Sequence, residues 1–321
     1  MEKKELRIIY MGTPDFAVPP LNAIISSGEN VQAVFTQPDK PKGRGFKLLP
    51  TPVKECALSH NIPVYQPLSL RKGEEGAAAE ALIREMAPDL IVVAAYGQIL
   101  PQSILDIPKF GCVNIHASLL PKYRGAAPVQ RVILDGETET GVTAMRMADG
   151  IDTGDMMMKL SVQIGENETA SELHDRLSEL GADLIIKTIE ALKNGTAVYE
   201  KQDDSKSCHA PKIDKSMSFT DFSLPAKQIH NHIRGLSASP CAVAYLCGKR
   251  LKIFHSELVM DVNGTPGEIV NADSFIVACG DGNGVKLTEV QGEGGKRLKT
   301  ADFLRGFKIE KGMIIKSSSD D

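Results

Sequence analysis

The strongest constraint on this chain is a set of short, mostly apolar runs, each followed by a polar turn and then a helix-like stretch. Residues 90–95, Leu-Ile-Val-Val-Ala-Ala, carry no polar side chain, so the segment they form must be covered on both faces. Strands of that kind lie inside parallel sheets with helices packed on either side. Runs at 6–10, 31–36 and 111–113 repeat the pattern. Helices are expected between them at 51–59, 74–86 and 127–134, with a short strand at 64–66. The alternation predicts a Rossmann-like, doubly wound, mostly parallel α/β sheet.

After the first run, Met11 to Phe16 turns out of the sheet. Asp15 stands where a helix N-cap is expected, Pro19 and Pro20 fit a first turn, and Gly28 fits the stop. No Gly-x-Gly-x-x-Gly follows that strand, so a dinucleotide site is not supported. Further on, 141–147 and 156–160 read as a strand pair joined through a turn carrying Asp149, Asp152 and Asp155. Turn chemistry accounts for Asp149 and Asp155. Leu173, Leu177, Leu180, Leu184, Ile185, Ile189 and Leu192 recur at helical spacing, which predicts the longest helix over 169–193, stopped by Gly195.

Residues 196–218 are polar and turn-rich and read as a linker. Beyond them a helix at 225–233 precedes β-like runs at 242–246, 250–254, 268–270, 275–278 and 285–289. Short strands at that spacing suggest a small antiparallel barrel of the oligonucleotide-binding type. The expected organisation is a catalytic domain over 1–195, a linker over 196–218, a barrel domain over 219–316 and a disordered tail over 317–321.

The 321 residues suffice for two domains, and a net charge of -4 argues against a protein coated in positive charge. Any nucleic acid must meet a local patch. Lys40, Lys42, Arg44, Lys47 and Lys54 form one cluster, in a long Pro- and Gly-rich loop of the kind that is usually functional. Lys296, Arg297, Lys299, Arg305, Lys308 and Lys311 form another, and both also fit an ordinary solvated face. Six cysteines without a Cys-x-x-Cys pair, and a charged N-terminus without a long apolar segment, lead us to expect reduced thiols, no membrane span and a cytoplasmic protein.

The chemistry is expected at Asn114-Ile115-His116-Ala117-Ser118-Leu119-Leu120-Pro121-Lys122-Tyr123-Arg124-Gly125. On a strand, Asn114 and His116 point the same way, at the carboxyl end where open α/β sheets bind ligands. With Asp152 they make an amide donor, a titratable imidazole and a carboxylate to hold it. These suit acyl transfer from an amide-like donor to an amine, Asn114 serving the oxyanion and His116 the proton. No Ser or Cys stands in a nucleophile elbow, so direct transfer is expected, with Ser118 a weak exception. A metal on His116 and Asp152 is a poor alternative, because clustered His or Cys ligands are lacking.

Asn114 to Pro121 and Asp152-Thr153-Gly154-Asp155 resemble the motif shared by folate-dependent formyltransferases. The resemblance implies that Asn114, His116 and Asp152 are the catalytic trio and that the donor is 10-formyltetrahydrofolate. Ser118, Leu119, Leu120 and Pro121 match the segment that meets the folate, and the run containing Val92, Ala94 and Tyr96 resembles the strand end lining the pterin pocket. Thr36 to Gly45 is similar to the basic insertion of the methionyl-tRNA formyltransferase branch. It implies tRNA contacts from Lys40, Lys42, Arg44 and Lys47, and initiator methionyl-tRNA as the acceptor. Further similarity runs through 124–131 and 136–143, and it weakens past Ala210-Pro211-Lys212-Ile213. Departures lie at Ser237 to Cys241, where the family often has aromatic residues.

Three other readings fit these residues: a formyltransferase acting on a small amine, a formyltetrahydrofolate hydrolase, and a non-catalytic RNA-binding module. A monomer is expected.

Overall fold

The computed structural model describes residues 5–42 and 47–318. Contacts divide the chain into two compact units, one of Met1–Gly125, Gly141–Val162 and His174–His209, the other of Ala126–Thr140, Gln163–Leu173 and Ala210–Asp321.

A seven-stranded sheet runs, edge to edge, Met156–Gln163, Glu139–Arg146, Cys112–His116, Leu90–Ala94, Arg7–Gly12, Asn30–Phe35 and Val64–Tyr65. From Cys112–His116 to Val64–Tyr65 every neighbouring pair is parallel. Leu90–Ala94 is buried throughout, as a strand without polar side chains requires. The sheet turns antiparallel between Cys112–His116 and Glu139–Arg146, where Asn114 faces Met145 and His116 faces Thr143. The doubly wound, mostly parallel reading therefore holds, with reversal at one edge.

Because the central strands are parallel, their carboxyl ends share one edge. That edge is tied together by Thr13, whose hydroxyl donates to the Tyr96 carbonyl (2.8 Å) and accepts from the Gln37 amide (3.3 Å).

The first helix starts later than expected. Asp15–Ala17 is a 3-10 turn, and the α-helix covers Val18–Ser26. A helix capped by Asp15 would need the amide of residue 20 to reach the Phe16 carbonyl, and Pro20 has none. The Phe16 carbonyl is instead taken by the Ser178 hydroxyl at 2.8 Å. Gly28 stands at φ +79°, the left-handed stop that the sequence predicts. The long helix covers Ala170–Asn194. It opens with a capping box in which Glu172 accepts from the Thr169 amide (2.9 Å) and Thr169 accepts from the Glu172 amide (3.4 Å).

In the second unit, strands Ala242–Leu246, Lys249–Val259, Ile269–Asn271, Ile276–Ala278, Gly284–Gly292 and Ile315–Lys316 form an antiparallel sheet. Its two ends meet: the Ile269 amide donates to Met313 O (2.8 Å) and the Ile315 amide to Gly267 O (2.8 Å). The sheet is thus a nearly closed barrel, which removes exposed edges. Its core takes in Phe222, Ile229 and Ile233 from the helical side and Phe275, Leu287 and Val290 from the strands. A helix over Thr300–Gly306, not expected from the sequence, adds Phe303, stacked between Phe275 and Phe307. Among the described residues no helix is long and apolar enough to cross a membrane.

Candidate active site

The strand Cys112–His116 carries Asn114 and His116 to the carboxyl edge of the sheet. The His116 ring is nearly sealed, at 6% exposure, and both of its nitrogens face acceptors. Nε2 lies 2.8 Å from the Tyr123 carbonyl, and Nδ1 lies 3.5 Å from Asp152 Oδ2. A carbonyl can only accept, so Nε2 carries the proton that it donates to Tyr123. Nδ1 then faces a carboxylate across a gap longer than an ordinary hydrogen bond. The Asn114 carboxamide is half-buried and has no hydrogen-bond partner among the described residues.

Asp152 reaches this place because its backbone is left-handed, at φ +53°. Asp tolerates that region better than most residues. Oδ2 also accepts from the Gly125 amide at 2.9 Å, while Oδ1 has no partner among the described residues. Tyr123 (φ +60°), whose carbonyl holds the His116 ring, is left-handed too.

A cavity of about 470 Å³ opens beside Asp152. It runs between 98–102 on one side and 145–152 on the other, with Ile99, Leu100, Met145, Met147 and Ile151 as its apolar surfaces. Its size suits a flat organic ligand. Arg71 is the one cation lining it, exposed and without an ion-pair partner among the described residues; Asp149 and Asp152 are the anions.

The structure brings Asn114, His116 and Asp152 together. Ser118 and Leu120 are buried. The Ser118 hydroxyl donates to Lys122 O (2.6 Å), closing the loop on itself, and Leu120 packs on Met145 and Met156. Leu119 and Pro121 are half-buried. Val92 and Ala94 are fully buried strand residues, and Tyr96 packs into the core with its phenol lacking a partner among the described residues and its pKa pushed up by burial. None of these three lines the cavity.

Lys40 is exposed on strand Lys40–Lys42, which pairs with Lys47–Leu49. Those short strands contain Lys42 and Lys47, and Arg44 lies outside the described residues. Lys54 is committed elsewhere: its ammonium contacts Asp39 (2.6 Å) and Gln66 (2.7 Å), and that contact holds the Asp39 carboxyl below its usual range. The late basic cluster is also largely paired, Arg297 with Glu289, Arg305 with Asp302 and Lys308 with Glu310.

Sequence reasoning missed the supports. Thr143, fully buried, donates to Ser118 O (2.6 Å) and accepts from the Leu120 amide (3.1 Å). Gln202, from the stretch read as linker, donates to the carbonyls of Asp152 (2.7 Å) and Gly154 (2.8 Å). Arg124 points at Gln202 and Asp204. Because these contacts run largely through backbone atoms, no residue pattern announces them.

The formyl transferase family matches residues 6–189, and the formyl transferase C-terminal domain family matches residues 212–308. The chain is 52% identical over 309 residues to the methionyl-tRNA formyltransferase of Geobacter sulfurreducens, covering 96% of each chain. It is 49% identical over 312 residues to that of Alkaliphilus metalliredigens, covering 97% of this chain and 98% of the relative. Among solved structures, a sugar 3N-formyl transferase, WlaRD, shares the fold with a TM-score of 0.67 at 23% identity, over 91% of this chain and 100% of the other. HypX from Aquifex aeolicus, solved with tetrahydrofolic acid, gives 0.65 at 16% identity, over 98% of this chain and 51% of the other. With half of its residues identical to such relatives across nearly its whole length, the chain belongs to the methionyl-tRNA formyltransferase family of formyl transferases.

Proposed function

We propose that the chain moves the formyl group of 10-formyltetrahydrofolate to the α-amino group of methionine on initiator tRNA, by direct attack of the amine. The observation that carries this reading is the His116–Asp152 pair on the strand face that also carries Asn114, whose carboxamide has no partner among the described residues, with Asp152 at the rim of a cavity of about 470 Å³.

The apolar walls Ile99, Met145, Met147 and Ile151 suit the flat ring system of the donor, and Arg71 suits the carboxylates of its tail. Asn114 donates to the oxygen that becomes negative as the amine adds to the formyl carbon. The His116–Asp152 pair takes the proton that the amine must lose, and a proton returns to the donor nitrogen as its bond to the formyl carbon breaks. The protein forms no bond to the formyl group. A free α-amine titrates near about 8, so part of it is already nucleophilic at neutral pH.

Lys40, Lys42, Arg44 and Lys47 serve the tRNA through phosphate contacts, and the barrel unit adds surface to the same partner. The protein acts in the cytoplasm as a monomer.

The test compares formyl transfer to methionine-charged initiator and elongator tRNA from 10-formyltetrahydrofolate. Selective formylation of the initiator is expected. Donor consumption without formylated tRNA would move the acceptor to water or a small amine. Arg44→Ala should weaken tRNA binding and lower the salt slope by about one contact, roughly 0.7 to 0.9 in log–log units. An unchanged dissociation constant and slope would remove the loop from the tRNA site.

A further inference from the structure

We propose that Gln202 is a positioning residue for the His116–Asp152 pair, and that residues 200–208 are the strap through which it acts. The proposal rests on the catalytic reading of that pair.

The strap is fastened at one end by Glu200 and Met156, which exchange both backbone hydrogen bonds at 2.8 Å. Two residues on, the Gln202 carboxamide spends its full complement of polar atoms. Its amide nitrogen serves the carbonyls of Asp152 (2.7 Å) and Gly154 (2.8 Å), and its oxygen accepts from Arg124 Nε at 2.9 Å. Arg124 Nη2 then reaches Asp204 at 2.7 Å. At the far end Cys208 accepts from the Tyr123 amide through Sγ (3.1 Å) and from the Arg124 amide through its carbonyl (2.9 Å).

These bonds converge on the two groups that must be held. Asp152 occupies a left-handed conformation that L-residues adopt at a cost, and Gln202 clamps the carbonyls of Asp152 itself and of Gly154 two residues later. On the opposite side, Tyr123 O fixes the His116 ring and the Gly125 amide fixes the Asp152 carboxylate. Tyr123 and Arg124 hang on the strap at Cys208, and Arg124 also hangs on Gln202. One carboxamide therefore links the loop carrying the carboxylate to the loop that orients the imidazole. No other side chain type supplies two donors and one acceptor in this plane except Asn, which is one methylene too short to span from residue 202.

The experiment is a double-mutant cycle read by single-turnover formyl transfer at saturating donor and charged initiator tRNA. It uses the parent, Gln202→Met, Asp152→Ala and the double variant. Gln202→Met keeps the length and removes the hydrogen bonds; it should slow transfer about 10-fold to 100-fold while donor KM and tRNA Kd stay within about twofold. In the Asp152→Ala background the same change should cost much less, because the part of its effect that runs through Asp152 is already gone. Losses that multiply in the double variant, a parental rate in Gln202→Met, or a loss confined to KM or Kd would each overturn the proposal. If Gln202→Met does not melt cooperatively, Gln202→Glu takes its place, with the same shape but carboxylate oxygen set against the two carbonyls. A parental rate in Asp152→Ala would instead remove the catalytic reading of Asp152, and the proposal with it.

Discussion

Two histidines, one in each unit, are buried in the same way and differ in what their second nitrogen meets. His116 sets Nε2 against the Tyr123 carbonyl at 2.8 Å, and His230 sets Nε2 against the Glu166 carbonyl at 2.9 Å. The difference lies at Nδ1. His230 meets the Ser256 hydroxyl at 2.8 Å, a group that can donate, so a neutral ring satisfies both sides with one proton. His116 meets the Asp152 carboxylate, which only accepts, so one proton on a neutral ring cannot serve both partners. A closed hydrogen-bond account makes a structural histidine, and an open one leaves a ring able to take a proton in reaction. Their surroundings extend the contrast. Burial holds the His230 pKa below its usual value and the nearby Arg234 adds to the effect, whereas the Asn114 carboxamide on the same strand face as His116 has no partner among the described residues.

The largest expected effect comes from making the same substitution at both. His116→Gln should slow single-turnover transfer by on the order of 100-fold or more, with tRNA binding within a few-fold of the parent. His230→Gln should leave the chemical step within about twofold, because Gln can still donate to one partner and accept from the other. A slow His230→Gln enzyme together with a normal His116→Gln enzyme would invert the comparison.

Much of this corner is legible in the sequence, and the reasons differ residue by residue. The buried strand Leu90–Ala94 follows from its composition, and the shared direction of Asn114 and His116 follows from strand periodicity. Asp152 is reachable only through its motif, because its own neighbourhood reads as an ordinary Asp-Gly turn. Gln202 is invisible: its partners are two backbone carbonyls about 50 residues earlier and an arginine of the 114–125 stretch. The late start of the first helix was in the sequence, since Pro20 forbids the bond that an Asp15 cap needs, but the acceptor's true partner, Ser178, lies 162 residues away. The antiparallel edge at Glu139–Arg146 has no local signature either. Long-range pairing decides it.

The second effect is a pH dependence of the barrel unit. His230 has a lowered pKa when folded, so the unfolded ring protonates first as pH falls below about 6.5. More protons on the unfolded state mean that stability rises with pH, so the contribution is intact above that value and is lost on acidification. The charged groups acting on the ring are Arg234, which lowers the pKa, and Glu166 and Glu257, which raise it less than burial lowers it. Between pH 7.0 and 5.5 the parent should lose up to about 1 kcal/mol more protection than His230→Gln in the helix Ala226–Leu236, measured by hydrogen exchange corrected for intrinsic rates. His232 and His255, also lowered by burial, are common to both proteins and drop out of the difference. Equal losses would mean that the folded ring already carries its second proton.

The smallest effect isolates the donor that closes the His230 account. Ser256 is 2% exposed, and its hydroxyl must donate to Nδ1 because Nε2 is already committed to Glu166 O. Ser256→Ala removes that donor and leaves a buried acceptor unpaired, at a cost of about 1 kcal/mol. The loss should appear as weaker exchange protection in strand Lys249–Val259 and helix Ala226–Leu236 at neutral pH, with formyl transfer unchanged. Full protection in Ser256→Ala would show that His230 does not depend on the hydroxyl. The distinction from His116 would then rest on Asp152 alone.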